Sequence, residues 1–582
     1  MKQKLLTSLA IVLCAVTSWS QALNIGGHRA PFDTRNNIWL CSVPQALFGS
    51  DYAATVTYGE ELPELTIDSI AVASGDTFNF EGIEGGKIYT VTFMIDDSLY
   101  SRGITFTWLP IVELEGSFGN SYKYGTVTIS EPDSAYAEPM FAKLKWRGGA
   151  TNTANKHKRN YRIKFLDEDT AKMDRRFFGL RNDNNWILDA GQMDFLRVRN
   201  RVSTDLWLDM ARRPWYADTL PNARNGSRGQ MVEVILNGAY VGIYNMCEPI
   251  DRKQMKLKRY ENGDKPGTYL FHGQLWDSYK WTRTVTMSDP APRNPGATIW
   301  DGFEVKYPDP DEVHTVNWRT LDNAVWFANR ADMDFQLRTD SMRYYFDVPV
   351  LEDYLIFITS LQALDNESKN IYYGCYDRTT HPRLTIAPWD LDVCLGQNFA
   401  PGVDIPDMVA PDRELDWISH LPMYDLFETE EYGKEIVARY RELRETVLDT
   451  ENLVNRYRTA VNELVNCGAA AREEDRWSGD TDLAGKTLDL SAEMDYIESW
   501  IRTRMEYLDE NIFIDKDYPL PDPVIPGDLN RDGEVNIGDL NILINIILGT
   551  QYDSITMGLA DLNKDGETNI GDLNALINII LN

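Results

Sequence analysis

Cysteine is scarce in this chain, with six residues in a sequence of 582. Cys14 lies in an N-terminal apolar segment and follows Leu13, a residue too large for typical lipoprotein processing. The five cysteines that remain are few and odd in number, which excludes a disulfide framework. Cys375 and Cys394 flank a predicted hairpin and could form one bridge, but buried free thiols are an equally good interpretation.

Long apolar runs are also lacking, because no stretch after the N-terminus reaches the roughly eighteen apolar residues that span a bilayer. The N-terminus has a basic start at residues 1–4, an apolar run at 5–16 and small residues at 18–20. This order is typical of a signal peptide cleaved near Gln21. We therefore predict residues 1–20 as a signal peptide, and a soluble protein that is secreted or associated with the cell surface.

Positive charge is the third shortage: 58 Lys and Arg stand against 89 Asp and Glu, for a net charge of −31. Loss of Lys2 and Lys4 with the signal peptide would take the charge from −31 to −33. Such acidity argues against nucleic acid and anionic membranes as partners and favours Ca²⁺ binding. With 43% hydrophobic residues and 16 Trp, the chain is globular and long enough for about three or four domains.

Residues 21–114 predict a β-sandwich-like domain. Short alternating runs separated by Gly, Asp and Pro are typical of strands joined by tight turns. The runs lie at 54–58, 69–73, 87–95 and 103–108. No catalytic constellation is visible in this segment, so its predicted role is spacing or adhesion.

Residues 115–512 mix strand and helix patterns and predict an α+β domain. Strands are expected at 124–129, 140–146, 161–165, 184–190, 231–236 and 241–246, and helices at 195–210, 349–364, 430–466 and 490–511. The Asn237-Gly238 pair favours a type I′ hairpin turn. After this domain, the proline-rich residues 513–525 predict a stiff linker.

One hairpin of this domain would bring polar residues together. Strands are predicted on both sides of a turn at 377–382, so the chain before the first strand and after the second would lie at the same end. Asp365 and Asn370 would then converge on Asp390 and Asp392. Protein kinases place a base and two metal ligands in the same order. Spacing alone favours the alternative that these residues satisfy ordinary turns.

A second candidate feature is a glycine turn between predicted strands, formed by Gly148 and Gly149 after Arg147. Backbone N–H groups of such a turn can approach phosphate, and Lys158 or Lys164 can reach phosphate oxygens. A Gly-Gly hairpin turn without a ligand is the alternative.

Glu248 lies just past the end of the second predicted hairpin. An acid at this position could orient a lysine or a metal. A solvent-facing charge at the end of a strand is an equally good interpretation.

Six segments follow one another in the order found in the spore-coat protein H (CotH) kinase family, which this chain resembles across residues of about 120–510. The segments are 147–149, 158–165, 196–200, 233–244 with Glu248, 365–370 and 388–392 with Gly396, and a closing helix follows at 494–508. The resemblance implies an atypical protein-kinase-like fold that transfers the γ-phosphate of ATP to protein hydroxyls.

The resemblance also implies roles for individual residues. Asp365 would be the catalytic base, Asn370 and Asp390 would hold Mg²⁺ or Mn²⁺, and Asp392 would be an alternative ligand. Residues 147–149 and one of the two lysines would contact the phosphates of ATP, and Glu248 would orient the lysine or the nucleotide.

Two other functions stay open at this point. One is a catalytically silent binding or structural component of an extracellular assembly that degrades polysaccharides. The other, and the weaker, is a carbohydrate-active enzyme that uses paired carboxylates.

Residues 528–548 repeat at 561–581 with an offset of 33. Each repeat starts with a polar loop and continues into an apolar helical pattern. The loop residues that would supply oxygen ligands, with the two glutamates acting through their carbonyls, are Asp528, Asn530, Asp532, Glu534, Asn536 and Asp539, and Asp561, Asn563, Asp565, Glu567, Asn569 and Asp572. With glycine at the sixth position, this spacing is the one that Ca²⁺ requires.

Residues 526–582 resemble a type I dockerin, because the last ligand is Asp and one helix follows each loop. The resemblance implies a Ca²⁺-dependent, all-α module that docks onto a cohesin-like domain of a scaffold or cell-surface protein. Ile537-Gly538 and Ile570-Gly571 occupy the positions that often choose the partner. Seven Asp and two Glu stand against two basic residues in this segment, so charge repulsion is expected to unfold it without Ca²⁺.

Overall fold

The computed structural model describes residues 23–59, 62, 65–95, 97–135, 137–259, 268–273, 297–300, 302–309, 316–328, 335–367, 369–397, 409–418, 422–516, 525–530, 532–549, 559–563 and 567–581. The predicted signal peptide and most of the predicted linker lie outside these residues. Within them, no helix is both long and apolar enough to cross a membrane.

The N-terminal region is rich in β-structure and contains two sheets around one apolar core. Its described strands are β1 (Leu23–Ile25), β2 (His28–Ala30), β3 (Phe32–Asp33), β4 (Ile38–Ser42), β5 (Tyr52–Thr57), β6 (Leu65–Ile67), β7 (Ile70–Val72), β8 (Thr77–Phe80), β9 (Tyr89–Ile95) and β10 (Ser98–Thr107). The sheet orders are β2-β1-β5-β8 and β3-β4-β10-β9-β6-β7. Trp39, Val56, Phe80 and Phe106 are fully buried in the shared core, because alternate residues of each strand face inward. The predicted β-rich N-terminal region is confirmed.

A closed barrel follows. Its strands are β11 (Ile111–Glu115), β12 (Lys123–Ser130), β13 (Met140–Arg147), β14 (Asn160–Phe165), β15 (Asn185–Asp189), β16 (Gly229–Leu236) and β17 (Ala239–Cys247). They close in the order β11-β12-β13-β14-β15-β17-β16. Apolar side chains such as Tyr161, Ile163 and Phe165 fill the interior, and the alternate residues Arg162 and Lys164 are left on the outer face.

The strand β11 corrects the boundary drawn from the sequence. It pairs antiparallel with β12 and parallel with β16, so it belongs to the barrel. The predicted first domain, residues 21–114, ends inside this strand. The partner β16 lies far downstream, and the local pattern therefore gave no sign of the pairing.

A five-stranded sheet lies next to the barrel. Its strands are β18 (Tyr269–Gly273), β19 (Ile299–Trp300), β20 (Phe303–Tyr307), β21 (Ile371–Asp377) and β22 (His381–Pro388), in the order β19-β20-β18-β21-β22. The predicted hairpin is β21 and β22, with Tyr372 opposite Ala387. Tyr373 faces the large helical core. Tyr372 and Trp389 face the barrel and share a smaller cluster with its residue Ile187.

Helices pack around the other face of this sheet. Those described in the central region are Arg199–Met210, Arg252–Met255, Arg319–Ala328, Phe335–Tyr345, Val348–Leu361, Pro422–Phe427, Glu430–Arg444, Thr450–Asn466, Ala469–Trp477 and Leu490–Tyr507. Val348–Leu361 is buried along almost its whole length. Its acid Asp353 is neutralised by Arg212 and Arg439 at 3.0 Å each, and the helix leads directly to the segment that carries Asp365.

The C-terminal region contains two helices, Ile537–Ile547 and Ile570–Leu581. They contact each other through a small core that includes Leu543 and Leu576, both fully buried. A loop of the predicted kind precedes each helix, so the helical C-terminal region is consistent with the dockerin prediction.

All five cysteines that follow the N-terminal segment, including Cys375 and Cys394, are buried free thiols. Burial raises the pKa of the Cys375 and Cys394 thiols to about 12. Of the two interpretations left open by the sequence, the structure has the free thiols and no bridge between this pair.

Candidate functional site

The hairpin brings Asp365 and Asn370 into direct contact. Asn370 Nδ2 donates to Asp365 Oδ2 at 2.7 Å, and Lys369 Nζ lies 2.8 Å from the same oxygen. Asp365 is only 5% exposed. The Asn370 carbonyl accepts a hydrogen bond from Trp389 N at 2.8 Å, so the two ends of the hairpin lie side by side, as the strand pattern predicted.

Asn370 and Asp390 both have a left-handed backbone, with φ of 58° and 60°. The first lies just before β21 and the second just after β22. Side chains other than glycine adopt this conformation at a cost, and Asn and Asp tolerate it best. Such conformations concentrate at ligand and active sites, which makes this end of the hairpin a candidate site.

Asp390 and Asp392 belong to an acidic cluster with Asp189 and Asp365. Burial, followed by the charges of Asp189 and Asp365, raises the pKa of Asp390 to about 6. Burial and then the charge of Asp390 hold the pKa of Asp392 well above its usual value. Carboxylates held together against their mutual repulsion suit a divalent cation.

Asp189 and Asn200 complete the cluster, and neither was predicted as a site residue. Asn200 Nδ2 donates to Asp189 Oδ2 at 2.6 Å, and Asn200 Oδ1 accepts from Leu391 N at 3.1 Å. This amide therefore ties the end of β15 to the peptide between Asp390 and Asp392. Asn200 is the last residue of the segment 196–200, and this position in a segment of the family resemblance could have marked it as a site residue. Asp189 could not be recognised, because an acid at the end of a strand is common.

The glycine turn lies beside this cluster. The Arg147 guanidinium stands over the Trp389 ring at 5.3 Å, and its charge acts on Asp390. Gly148 has φ of 107°, and a Cβ there would lie 2.1 Å from Thr151 Oγ1. Position 148 therefore requires glycine, because the backbone there has a positive φ and leaves no room for a Cβ.

His272 lies near Arg147 and was not predicted as a site residue, because the segment around it has no readable pattern. Its ring stacks on Tyr372 at 4.3 Å, and its Nδ1 lies 2.9 Å from Glu304 Oε1. Burial lowers its pKa against the opposing effect of Glu304. A neutral imidazole fixed by Glu304 on Nδ1 leaves Nε2 as a hydrogen-bond acceptor.

Lys158 is buried in an ion pair. Its Nζ donates to Glu473 Oε1 and to the Ile243 carbonyl, each at 2.7 Å. Arg197 Nε donates to the same glutamate oxygen at 2.7 Å. Gly242, with φ of 114°, gives the carboxylate room, since a Cβ there would lie 2.2 Å from Glu473 Oε2. The acid that orients Lys158 is Glu473, which the sequence analysis did not single out.

Glu248 takes a different place from the one expected beside a lysine. Its Oε1 accepts from Arg228 Nη2 and from Arg181 N, each at 2.8 Å. Glu248 thus pairs with Arg228, and Lys158 pairs with Glu473. The role predicted for Glu248 in orienting a lysine or the nucleotide stays a prediction. The phosphate contact predicted for Lys158 or Lys164 stays a prediction.

Replacement of Glu473 by glutamine is expected to destabilise the central region by about 3 kcal/mol or more. Lys158 and Glu473 are at most 1% exposed, and removal of the negative charge would leave Lys158 and Arg197 buried without a counterion. Urea unfolding followed by tryptophan fluorescence measures the change. The exposed neighbour Asp475 gives a matched control, Asp475→Asn, for which a change under about 0.5 kcal/mol is expected; equal effects of the two would contradict the prediction.

The first C-terminal loop is built around two carboxylates. Asp539 Oδ1 accepts from Leu529 N at 2.7 Å and Oδ2 from Asn536 N at 2.8 Å. Asp528 accepts from Gly533 N at 2.9 Å, and burial, with Asp539 next among the charges, raises its pKa. Backbone donors thus hold both acids in place, and the remaining oxygen lone pairs are free to face a cation.

The second loop repeats this arrangement where it is described. Asp572 accepts from Asn563 N at 3.1 Å and from Asn569 N at 2.9 Å, as Asp539 does one repeat earlier. Asp565 lies outside the described residues. The duplicated hydrogen bonds fit two Ca²⁺ sites of one design.

The fold and the site define a mixed α/β protein with an acidic cluster where a barrel and a sheet meet, joined to a loop–helix module. The family model described as CotH kinase protein matches residues 144–508, and the model of the dockerin type I domain matches residues 526–581. Because the first match covers more than half of the chain, the chain belongs to the CotH kinase protein family. Its C-terminal segment is a type I dockerin, a class of domain that binds Ca²⁺. A search of curated proteins found no match.

Proposed function

We propose that this protein transfers the γ-phosphoryl group of ATP to protein hydroxyls outside the cell, anchored by its dockerin to a cohesin-bearing complex. The observation that carries the proposal is the contact of Asp365 with Asn370 beside the Asp390 cluster. The description of the matched family as a kinase protein supports it. In this proposal the barrel and the five-stranded sheet are the two lobes of an atypical kinase-like fold.

The acidic cluster would supply oxygen ligands for the cation that such a reaction needs. Asp390, Asp392 and Asn370 would hold Mg²⁺ or Mn²⁺, and Asp189 would support them through Asn200. The raised pKa values of Asp390 and Asp392 mark a site that is strained by its own charge and that a divalent cation would relieve. The bound cation supplies charge neutralisation for the transferred phosphoryl group.

The residues of the chain would then position and deprotonate the acceptor. Asp365, whose pKa burial raises, would take the proton of the acceptor hydroxyl as its oxygen bonds to the γ-phosphorus and ADP leaves. Arg147 and the N–H groups of Gly148 and Gly149 would face the phosphates. Most of the catalysis would come from positioning and from charge, as in other phosphoryl transfers.

The second candidate function is a catalytically silent domain that serves in binding. One observation favours it: Lys369 already pairs with Asp365 at 2.8 Å, and a proton acceptor must give up part of this pairing. Under both functions the dockerin anchors the chain, and Ile537 and Ile570, 69% and 65% exposed, would contact the cohesin.

Transfer of labelled γ-phosphate to dephosphorylated casein, with Mg²⁺ or Mn²⁺, tests the proposal. Asp365→Ala is expected to lower the transfer at least about a hundredfold, while Asp495→Asn on an exposed helix face leaves it unchanged. Equal transfer by Asp365→Ala and the wild type contradicts the assigned base. Nucleotide binding without any transfer decides for the silent domain.

A further inference from the structure

The outer face of the barrel carries a cluster of like charges that is unusual in so acidic a protein. Across the antiparallel pair β13 and β14, Lys143 lies opposite Lys164 and Lys145 lies opposite Arg162. Directly opposite like charges destabilise a sheet. We call Lys143, Lys145, Arg162 and Lys164 the basic ladder. The chain as a whole carries a net charge of −31, so many acidic residues could have been placed to neutralise it.

The ladder instead gathers its charges around one aromatic ring. The ammonium groups of Lys143, Lys145 and Lys164 lie 5.3, 5.0 and 5.1 Å from the centre of the Tyr122 ring. A ring face attracts a cation, and here one ring serves three. Among the described residues, no ion pair includes any of these three lysines.

The repulsion inside the ladder is visible in the pKa of Lys164. Burial lowers it first, and the charges of Arg162, Lys143 and Lys172 lower it further, while Asp309 acts in the opposite direction. Arg162 Nε donates to the neutral Asn185 Oδ1 at 2.9 Å. All four ladder side chains are half-buried, so their charged ends can meet a ligand at the surface.

The ladder also has a direction. Outward-facing residues of one strand are about 6.7 Å apart, so Lys143 and Arg147 are separated by roughly 13 Å along β13. Arg147 stands over Trp389 next to the acidic cluster. A ligand that touches both ends must be an extended chain of negative charges, and its far end reaches the candidate site.

We propose that the basic ladder docks an acidic segment of the protein that accepts the phosphoryl group, and leads its hydroxyl toward Asp365. The proposal rests on the proposed function for its choice of a protein over other polyanions. Complementary charge would concentrate such a segment at the cleft and would make the binding depend on salt.

Binding of a fluorescent peptide of ten glutamates around one serine, measured by anisotropy without nucleotide, tests the ladder. In the chain without residues 1–20, Lys143→Gln/Lys145→Gln is expected to weaken binding about tenfold or more. The matched control is Lys434→Gln/Lys486→Gln, which removes the same charge from exposed sites elsewhere and is expected to change binding less than twofold. The ladder variant should melt no lower than the wild type, because it loses repulsion.

Three results would overturn the proposal. One is equal peptide affinity in the ladder variant and the control. The second is that the ladder variant also loses affinity for Mg-ATP and that Mg-ATP competes with the peptide. That result would mean that the basic ladder binds the nucleotide. The third is tighter binding of single-stranded DNA than of the peptide. If the peptide binds but is not phosphorylated, the proposed activity is contradicted and the docking surface is not. If the ladder variant phosphorylates the peptide as well as the wild type does, the docking surface is contradicted and the activity is not.

Discussion

Asp390→Asn is expected to abolish phosphotransfer and, at pH 7.5, to make the protein more stable than the wild type. The carboxylate lies beside Asp189 and Asp365, and its pKa is raised to about 6. An amide of the same shape removes the repulsion but cannot hold a divalent cation with the same strength. We expect transfer to fall at least about a hundredfold and the free energy of unfolding to rise by about 1–2 kcal/mol.

The gain in stability should depend on pH in a defined direction. A carboxyl group with a folded pKa near 6 and an unfolded pKa near 4 favours the folded state at low pH. That contribution is complete below about pH 4 and is lost as the pH rises through about 6. The variant and the wild type should therefore be equally stable below about pH 4, with the difference growing toward pH 7.5.

Thermal melts across this pH range, with and without Mg²⁺ at about 5–10 mM, measure the effect. Mg²⁺ should raise the melting temperature of the wild type at pH 7.5 and have little effect on Asp390→Asn. The exposed Asp495→Asn is the control and should follow the wild type at every pH. If Asp390→Asn is less stable than the wild type at pH 7.5, repulsion within the acidic cluster does not destabilise the folded protein, and the prediction is wrong.

The parts of the fold that could be predicted are those set by short-range pattern. The strand before the turn at 377–382 is rich in Ile and Tyr, and its pairing with the strand after the turn follows from the short connection between them. Asp365 and Asn370 are five residues apart, and the hairpin brings them next to the segment that carries Asp390. The dockerin loops are equally local, since each set of ligands lies within twelve residues.

The parts that could not be predicted depend on contacts between distant segments. Glu473 is separated from Lys158 by 315 residues, and its helix, Ala469–Trp477, is mostly charged and has nothing that marks one acid as buried. Glu248, at the end of a strand in the barrel itself, was the more plausible partner by proximity in the sequence. The parallel pairing of Ile111–Glu115 that closes the barrel could not be predicted for the same reason. A pairing partner far downstream leaves no pattern in the local sequence.

Removal of Ca²⁺ is expected to unfold the C-terminal module while the central region stays folded. The helices Ile537–Ile547 and Ile570–Leu581 have 11 and 12 residues, and isolated helices of this length are marginal in water. Their common core is small, with only Leu529, Leu543, Ile546, Ala560 and Leu576 buried among the described residues. Cation binding must therefore supply most of the folding free energy of the module.

Limited proteolysis of the full chain measures this effect. With excess EGTA, cleavage should begin after residue 525 and leave a stable fragment that contains the central region; added Ca²⁺ should protect the intact chain at least about tenfold in rate. Calorimetric titration should find two Ca²⁺ per chain. If the chain takes up no Ca²⁺, or resists cleavage in EGTA as well as it does in Ca²⁺, folding of the C-terminal module does not depend on the metal.

Asp539→Ala separates the two loops and is the sharper form of this prediction. The carboxylate accepts three backbone N–H groups, from Leu529, Asn530 and Asn536, and is fully buried. Its loss removes a ligand and the start of the first helix together, so the stoichiometry should fall from two Ca²⁺ to one. Asn541→Ala on the exposed face of the same helix should keep both sites. Because the second loop holds Asp572 by the same pattern, Asp572→Ala should give the same stoichiometry, and different outcomes for the two variants would mean that the duplicated loops do not bind alike.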